Sequence, residues 1–148
     1  MSTSTIPSGS FTTANDTETE ALGARLGASL AGGDVVLLHG DLGTGKTVFV
    51  RGMARGLGLD AEEVASPTFV LMTTYKGRLS LHHSDLYRLR GGGDEQELGL
   101  EELPGPDGVL AIEWAERLAF EPWKRWIRVR LSHGGEDQRN ITIELEGA

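Results

Sequence analysis

Cysteine is absent from the 148 residues, which excludes disulfides, thiolate nucleophiles and cysteine-held zinc or iron–sulfur centres. Long apolar runs are missing as well. The run Val35-Val36-Leu37-Leu38 is typical of the longest, far short of the roughly 20 residues that a bilayer-spanning helix requires. The first residues carry neither the basic start nor the apolar core of a secretion signal, so a cytoplasmic location with no membrane involvement is the default expectation. Basic side chains are in deficit, 14 against 22 acidic ones, for a formal net charge of -8. That balance argues against a broad cationic surface for nucleic acid and leaves open a place in an RNA pathway through a protein partner. Chemistry must therefore come from oxygen ligands, lysine, histidine and backbone amides.

The residues present describe one globular unit. Hydrophobic residues at 39% and charged residues at 24%, beside 21 glycines, are ordinary for a packed domain, and the length suits a single core with no room for a second domain. Residues 1–15 are rich in Ser, Thr and Gly without apolar periodicity, and read as a flexible tail ahead of one domain at 16–148. Thr17 and Glu20 have the spacing of a capping box, and Leu22, Leu26 and Leu30 recur every four residues, which predicts a helix over 17–31 ended by Gly32-Gly33. The unbroken apolar run at 35–38 predicts a strand buried on both faces. A second helix is predicted over 46–57, with Gly58 as its C-cap.

Farther on, the β-branched and aromatic residues of 68–75 and 78–83 predict two strands around a Lys76-Gly77 turn. Gly91-Gly92-Gly93 links them to an acidic helical piece over 95–103, closed by Pro104-Gly105-Pro106. Residues 109–112 form a short apolar strand that delivers Glu113 and Trp114 to its end. Two late polar–apolar alternations, 126–131 and 140–145, predict an antiparallel hairpin with one solvated face. Internal repeats are absent.

Between the first strand and the second helix lies Gly40-Asp41-Leu42-Gly43-Thr44-Gly45-Lys46-Thr47, which meets the pattern G-x-x-x-x-G-K-[ST] without a mismatch and in the strand–loop–helix setting that its chemistry requires. Gly43 and Gly45 let the backbone bend so that its N–H groups converge on phosphate oxygens. The helix that follows adds its unpaired amides and the positive end of its dipole. Lys46 supplies a cation to the β and γ phosphates, and Thr47 a hydroxyl to magnesium. Asp41 suits a loop-shaping acceptor facing away from the ligand. The expected ligand is ATP with Mg2+, and the expected architecture is an α/β, P-loop NTPase-like three-layer fold with a mixed central sheet.

Magnesium takes hard oxygen ligands, so a carboxylate is expected near a neighbouring strand end. Asp85 and Glu113 both meet that geometry, since ligands in such sheets sit beyond the carboxyl ends of the strands; the alternative is that each is a surface acid bordering a strand. His82 and His83 are adjacent on a strand and point to opposite faces, which makes them a poor joint metal site. His83 and Asp85 share a face, with a structural hydrogen bond or general base catalysis as the two readings. His39 is expected to pack ahead of the loop, and His133 to lie in a solvated turn. In Ser66-Pro67-Thr68 the proline holds its neighbour extended and presents the Thr68 hydroxyl at a strand start, either as a nucleotide-sensing group or as a simple cap. Trp114 suits either stacking on a base or partner, or a place in the core.

Taken in order, the phosphate loop, Arg51-Gly52, residues 64–69, His83-Ser84-Asp85-Leu86-Tyr87-Arg88-Leu89, Glu97-Leu98-Gly99 and Ile112-Glu113-Trp114 resemble the TsaE family, formerly YjeE, small ATPases of bacterial tRNA threonylcarbamoyladenosine synthesis. The resemblance covers about residues 17–131. It implies that Lys46 and Thr47 serve phosphate and magnesium, that Thr68 belongs to a switch-like loop near the γ-phosphate, and that Asp85 is the acidic magnesium-site residue. Glu113 joins the metal and catalytic centre, and Trp114 borders the nucleotide pocket. The cofactor contacts implied are thus Asp41, Leu42, Gly43, Thr44, Gly45, Lys46, Thr47, Thr68 and Trp114, with Lys46, Asp85 and Glu113 as the catalytic set and Thr47, Asp85 and Glu113 around the metal. The partners implied are TsaD and TsaB, which transfer threonylcarbamoyl to adenosine 37 of tRNAs reading codons that begin with A, so that tRNA is met through the complex. Two departures from the family pattern are Ser84, where a larger side chain is common, and the triple glycine at 91–93. Two other functions share the loop: a small-molecule kinase, disfavoured by the acidic, arginine-poor region after Gly93, and a nucleotide-dependent binding module without turnover.

Overall fold

The computed structural model describes residues 6–41, 43–60, 72–86, 100–118 and 121–147. Its centre is β2 (Val35–His39), whose first four residues are all buried. The lack of polar alternation there has its reason in the topology. The strand is flanked in parallel by β5 (Gly108–Glu113) and β6 (Arg125–His133), and both of its faces meet apolar side chains. Val36 and Leu38 enter one core with Leu81, Val109, Ala111 and the helical side chains; Val35 and Leu37 enter a second with Leu86, Leu100, Leu110 and Ile112.

Seven strands make one sheet in the order β1-β7-β6-β2-β5-β4-β3. The remaining strands are β1 (Gly9–Thr13), β3 (Met72–Tyr75), β4 (Ser80–Asp85) and β7 (Arg139–Gly147). The inner four, β6, β2, β5 and β4, run parallel, while at one edge β7 pairs antiparallel with β6 and β1 antiparallel with β7, and at the other β3 pairs antiparallel with β4. This is a three-layer α/β fold with a mixed central sheet. Two helices, α1 (Asp16–Ser29) and α2 (Lys46–Gly56), cover one face. On the other, the 3-10 turns Leu100–Glu102 and Ala115–Arg117 bring in Leu100 and Ala115, with Leu103, Trp114, Trp123 and Trp126 packed around them. Among the described residues no helix is long and apolar enough to cross a membrane.

The helices lie backbone to backbone. A Cβ at Gly52 would stand 2.0 Å from the Glu20 carbonyl oxygen, and one at Gly27 would stand 2.2 Å from that of Met53, so α1 and α2 approach as closely as they do only because these positions carry no side chain. Arg55 on α2 pairs with Glu20 on α1. Beneath this seam Leu22, Leu26, Phe49, Val50 and Met53 fill the core.

Several boundaries differ from the sequence reading. The expected tail through residue 15 contains β1, whose Gly9 faces Ile143 and whose Thr13 faces Arg139 across an antiparallel ladder. An edge strand with most residues exposed shows no apolar rhythm, and its partner is remote in sequence. Helix α1 begins earlier than Thr17: Asn15 caps it by accepting from the Glu18 N–H at 2.9 Å, and Glu18 accepts from the Ala14 N–H at 2.7 Å. The reciprocal cap is therefore Asn15 with Glu18, two residues upstream of the pair proposed. Strand β4 starts later than expected and runs through Asp85. His133 ends β6, exposed, and the hairpin joins β6 to β7 as predicted. The expected strand start at 68–71, the triple glycine and the acidic helix up to residue 99 lie outside the described residues.

Candidate functional site

The phosphate loop joins the end of β2 to the start of α2, and its glycines have separate reasons to be there. At Gly45, the N-cap of α2, φ is +95°, a left-handed conformation, and no side chain caps the helix. The first N–H groups of α2 have no carbonyl four residues back within the helix and so open onto the loop. At Gly40 a Cβ would lie 2.6 Å from both the Leu131 carbonyl oxygen and the Thr44 hydroxyl, so a side chain would push β6 and the loop apart. Asp41 shapes the loop with its carbonyl, which accepts from the Thr44 N–H at 3.3 Å and hydroxyl at 2.8 Å, while its side chain is exposed.

Lys46 lies folded into this loop. Its Nζ donates to the carbonyls of Gly40 at 2.5 Å and Asp41 at 2.8 Å and stands 4.1 Å from the centre of the Trp114 ring, a cation–π arrangement. Burial pulls the Lys46 pKa below the ordinary lysine value, against the opposing pull of Glu113, Glu116, Asp85 and Asp41. Trp114 follows β5 in a left-handed conformation, φ 58°, which costs on the order of 1–3 kcal/mol for a bulky residue. Its ring packs against the second core while covering the lysine. The structure thus places this tryptophan at the edge of the core beside Lys46.

Asp85 and Glu113 are register partners at the ends of the parallel strands β4 and β5, on the sheet face covered by α2. Thr47, in the first turn of that helix, donates its hydroxyl to Glu113, 3.0 Å from Oε1 and 3.2 Å from Oε2. Two carboxylates and a hydroxyl are hard donors of the kind that a small divalent cation takes while keeping several waters. Among the described residues no three His, Cys, Asp or Glu side chains form a metal cage. A hydroxyl that gives its proton to a carboxylate keeps its lone pairs for a cation.

His83 enters this group by a route that the sequence reading missed. Its Nε2 lies 2.6 Å from Glu113 Oε2, with both side chains buried, so the imidazole reaches the acid on the next strand. His82, on the other face, bonds to Thr74. Three further contacts brace the loop. Glu116 accepts from the Gly40 N–H at 3.2 Å, His39 lies between Glu116 and Arg128, and Arg139 reaches over from β7 to the Gly43 carbonyl at 3.3 Å. Glu116, three residues after Glu113 at the same strand end, carried a readable hint. Arg139 carried none, since only the folded hairpin brings it near. Leu42 and Thr68 lie outside the described residues.

The family model for "Threonylcarbamoyl adenosine biosynthesis protein TsaE" matches residues 13–141. The chain belongs to the TsaE family. The protein named tRNA threonylcarbamoyladenosine biosynthesis protein TsaE in Treponema pallidum is 42% identical over 126 residues, which cover 85% of this chain and 93% of that one. Its namesake in Bacillus subtilis is 38% identical over 136 residues, covering 91% and 84%. The crystal structure of YdiB from Bacillus subtilis superimposes with a TM-score of 0.72 at 32% identity, over 97% of this chain and 88% of that one. The TsaE resemblance drawn from the sequence and the α/β three-layer fold are thus both borne out, across strands as well as motifs.

Proposed function

We propose that this chain is a magnesium-dependent ATPase that acts with TsaD and TsaB in threonylcarbamoylation of adenosine 37 of tRNAs reading codons that begin with A. The observation that carries the reading is the convergence of Lys46, Thr47, Asp85 and Glu113, drawn from one helix turn and two adjacent strand ends. Membership of the TsaE family and the acidic charge support it, since tRNA contact then falls mainly to partners.

The N–H groups of the loop and of the first turn of α2 bind triphosphate oxygens, and Lys46 neutralises charge on the β and γ phosphates. Thr47 and Asp85 would hold magnesium, with Glu113 beside them, and the bound ion would supply neutralising charge to the phosphates. Glu113 offers its carboxylate to the attacking water as a hydrogen-bond acceptor, and Trp114 walls the pocket and keeps the lysine in place. Asp41, Leu42, Gly43, Thr44 and Gly45 form the cradle, and Thr68 senses the γ-phosphate.

The test is to incubate the purified protein with magnesium and ATP, alone and with TsaD plus TsaB. Phosphate release stimulated by the pair is expected. Phosphoryl transfer to an added metabolite would make it a kinase, and nucleotide binding without turnover under every condition would make it a binding module.

A further inference from the structure

His83 is fully buried in β4, and its imidazole has two nitrogens in unlike positions. Nε2 is 2.6 Å from Glu113 Oε2, while Nδ1 is buried and has no hydrogen-bond partner among the described residues. The two facts together select a tautomer. With the proton on Nε2, the imidazole donates to the carboxylate and leaves only a lone pair unmet at Nδ1. With the proton on Nδ1, an N–H donor is buried without an acceptor, the rarer and costlier arrangement. The Thr47 hydroxyl also donates to Glu113, so its carboxyl oxygens already act as acceptors toward a neighbouring O–H.

The strand register explains how the imidazole reaches that far. His83 faces Ala111 across the parallel pair, and Asp85 faces Glu113. All four share one face of the sheet, and the small side chain at 111 leaves room for the ring to lie diagonally toward the acid two residues on. The final torsion of a glutamate is intrinsically broad; here, among the described residues, Oε2 is held by His83 and by Thr47, and Oε1 by Thr47.

We propose that His83 is the positioning residue of the site: its Nε2–H locks the Glu113 carboxylate so that Oε1 keeps acceptor capacity for the reacting water. The proposal rests on the reading of Glu113 as part of an ATP-hydrolysing centre. His83 itself does not touch nucleotide, and its contribution falls on turnover rather than on substrate binding.

The experiment compares His83→Gln, His83→Asn and His83→Phe with the wild type, by steady-state hydrolysis of magnesium ATP in the presence of TsaD and TsaB. A glutamine amide places its N–H close to the position of Nε2, an asparagine amide places it near Nδ1, and phenylalanine fills the space with no donor. Expected are a kcat lowered about 10- to 100-fold in the Asn and Phe variants, as befits loss of a charge-assisted hydrogen bond, an ATP KM within about threefold of wild type, and substantial rescue by Gln. Equal kcat in Gln and Asn, or wild-type kcat in all three, overturns the positioning role while leaving the ATPase reading intact. Wild-type protein with no turnover overturns both. The tautomer is read independently of any variant, from the nitrogen chemical shifts of histidine-labelled wild-type protein. A protonated Nε2 and bare Nδ1 at His83 are expected, and the reverse pattern overturns the proposal even if the variants fail to fold.

Discussion

Thr47 and Glu113, 66 residues apart, share one proton: the threonine hydroxyl donates to both carboxylate oxygens, at 3.0 and 3.2 Å. The bond ties the first turn of α2 to the end of β5 and so joins the element that carries the phosphate loop to the strand that carries the acid. A shift of α2 along the sheet would part them. Because α2 lies against α1 with bare backbone at Gly52, its position is set by main-chain contact rather than by deformable side chains, and the site inherits that stiffness.

Lys46→Met keeps the apolar stem and removes the ammonium. Affinity for a non-hydrolysable ATP analogue is expected to fall about 10- to 100-fold, the size of a lost charge-assisted contact, and affinity for ADP by less, since the γ-phosphate no longer contributes. Titration calorimetry with both nucleotides checks this. Equal losses for the two would move Lys46 away from the γ-phosphate.

Asp85→Asn is nearly isosteric and removes one of two facing negative charges. Turnover at fixed magnesium is expected to drop by about 100-fold or more, with half-maximal activity displaced to higher metal concentration. Nucleotide affinity measured without metal should hold or improve, because a like charge near the phosphates has gone. An Asn variant with wild-type magnesium dependence would remove Asp85 from the metal site.

The parts of this molecule that were legible in its sequence are those whose cause is local. The run at 35–38 announces a doubly covered strand, and the loop after it carries its own glycine, lysine and threonine pattern. Asp85 and Glu113 could be named because each ends an apolar or aromatic segment. Strand β1 escaped notice because its ladder is with β7, at the other end of the chain. The bonds from His83 to Glu113, from Gly40 to Glu116 and from Arg139 to Gly43 span 30, 76 and 96 residues. They follow from strand order and register, which hydropathy patterns leave open. The glycines of the helix seam read as weak helix formers until the second helix is set against them.

Gly52→Ala sets two effects against each other. Alanine in a helix interior is worth about 1 kcal/mol over glycine, but the new Cβ would lie 2.0 Å from the Glu20 carbonyl oxygen and 2.9 Å from the Ala24 nitrogen, main-chain atoms that cannot swing away. Overpacking of this kind costs about 1–3 kcal/mol and more when backbone must move. The steric term is expected to win, leaving the variant about 1–2 kcal/mol less stable, with a Tm lower by roughly 3–8 °C for a domain of this size. A thermal melt that rises instead would show that the helices can separate at little cost.

Acid should weaken the fold through His39. Arginine has no acceptor, so the 2.5 Å contact between Arg128 Nη1 and His39 Nε2 requires a bare, neutral nitrogen. Burial holds the His39 pKa below the ordinary histidine value; Arg128 and Arg130 push it the same way, and Glu116 and Glu121 oppose them. The unfolded chain, titrating near 6.5, therefore takes up a proton before the folded one does. The stabilisation is complete above that pH and is lost as pH falls through the lower, folded-state value. His82, also depressed by burial, acts in the same direction. Urea unfolding at pH 8 and pH 5.5 should show a larger loss for the wild type than for His39→Gln, in which an uncharged amide oxygen can accept from Arg128 at either pH. Equal losses in the two proteins would mean that the Arg128–His39 contact has no part in the acid sensitivity.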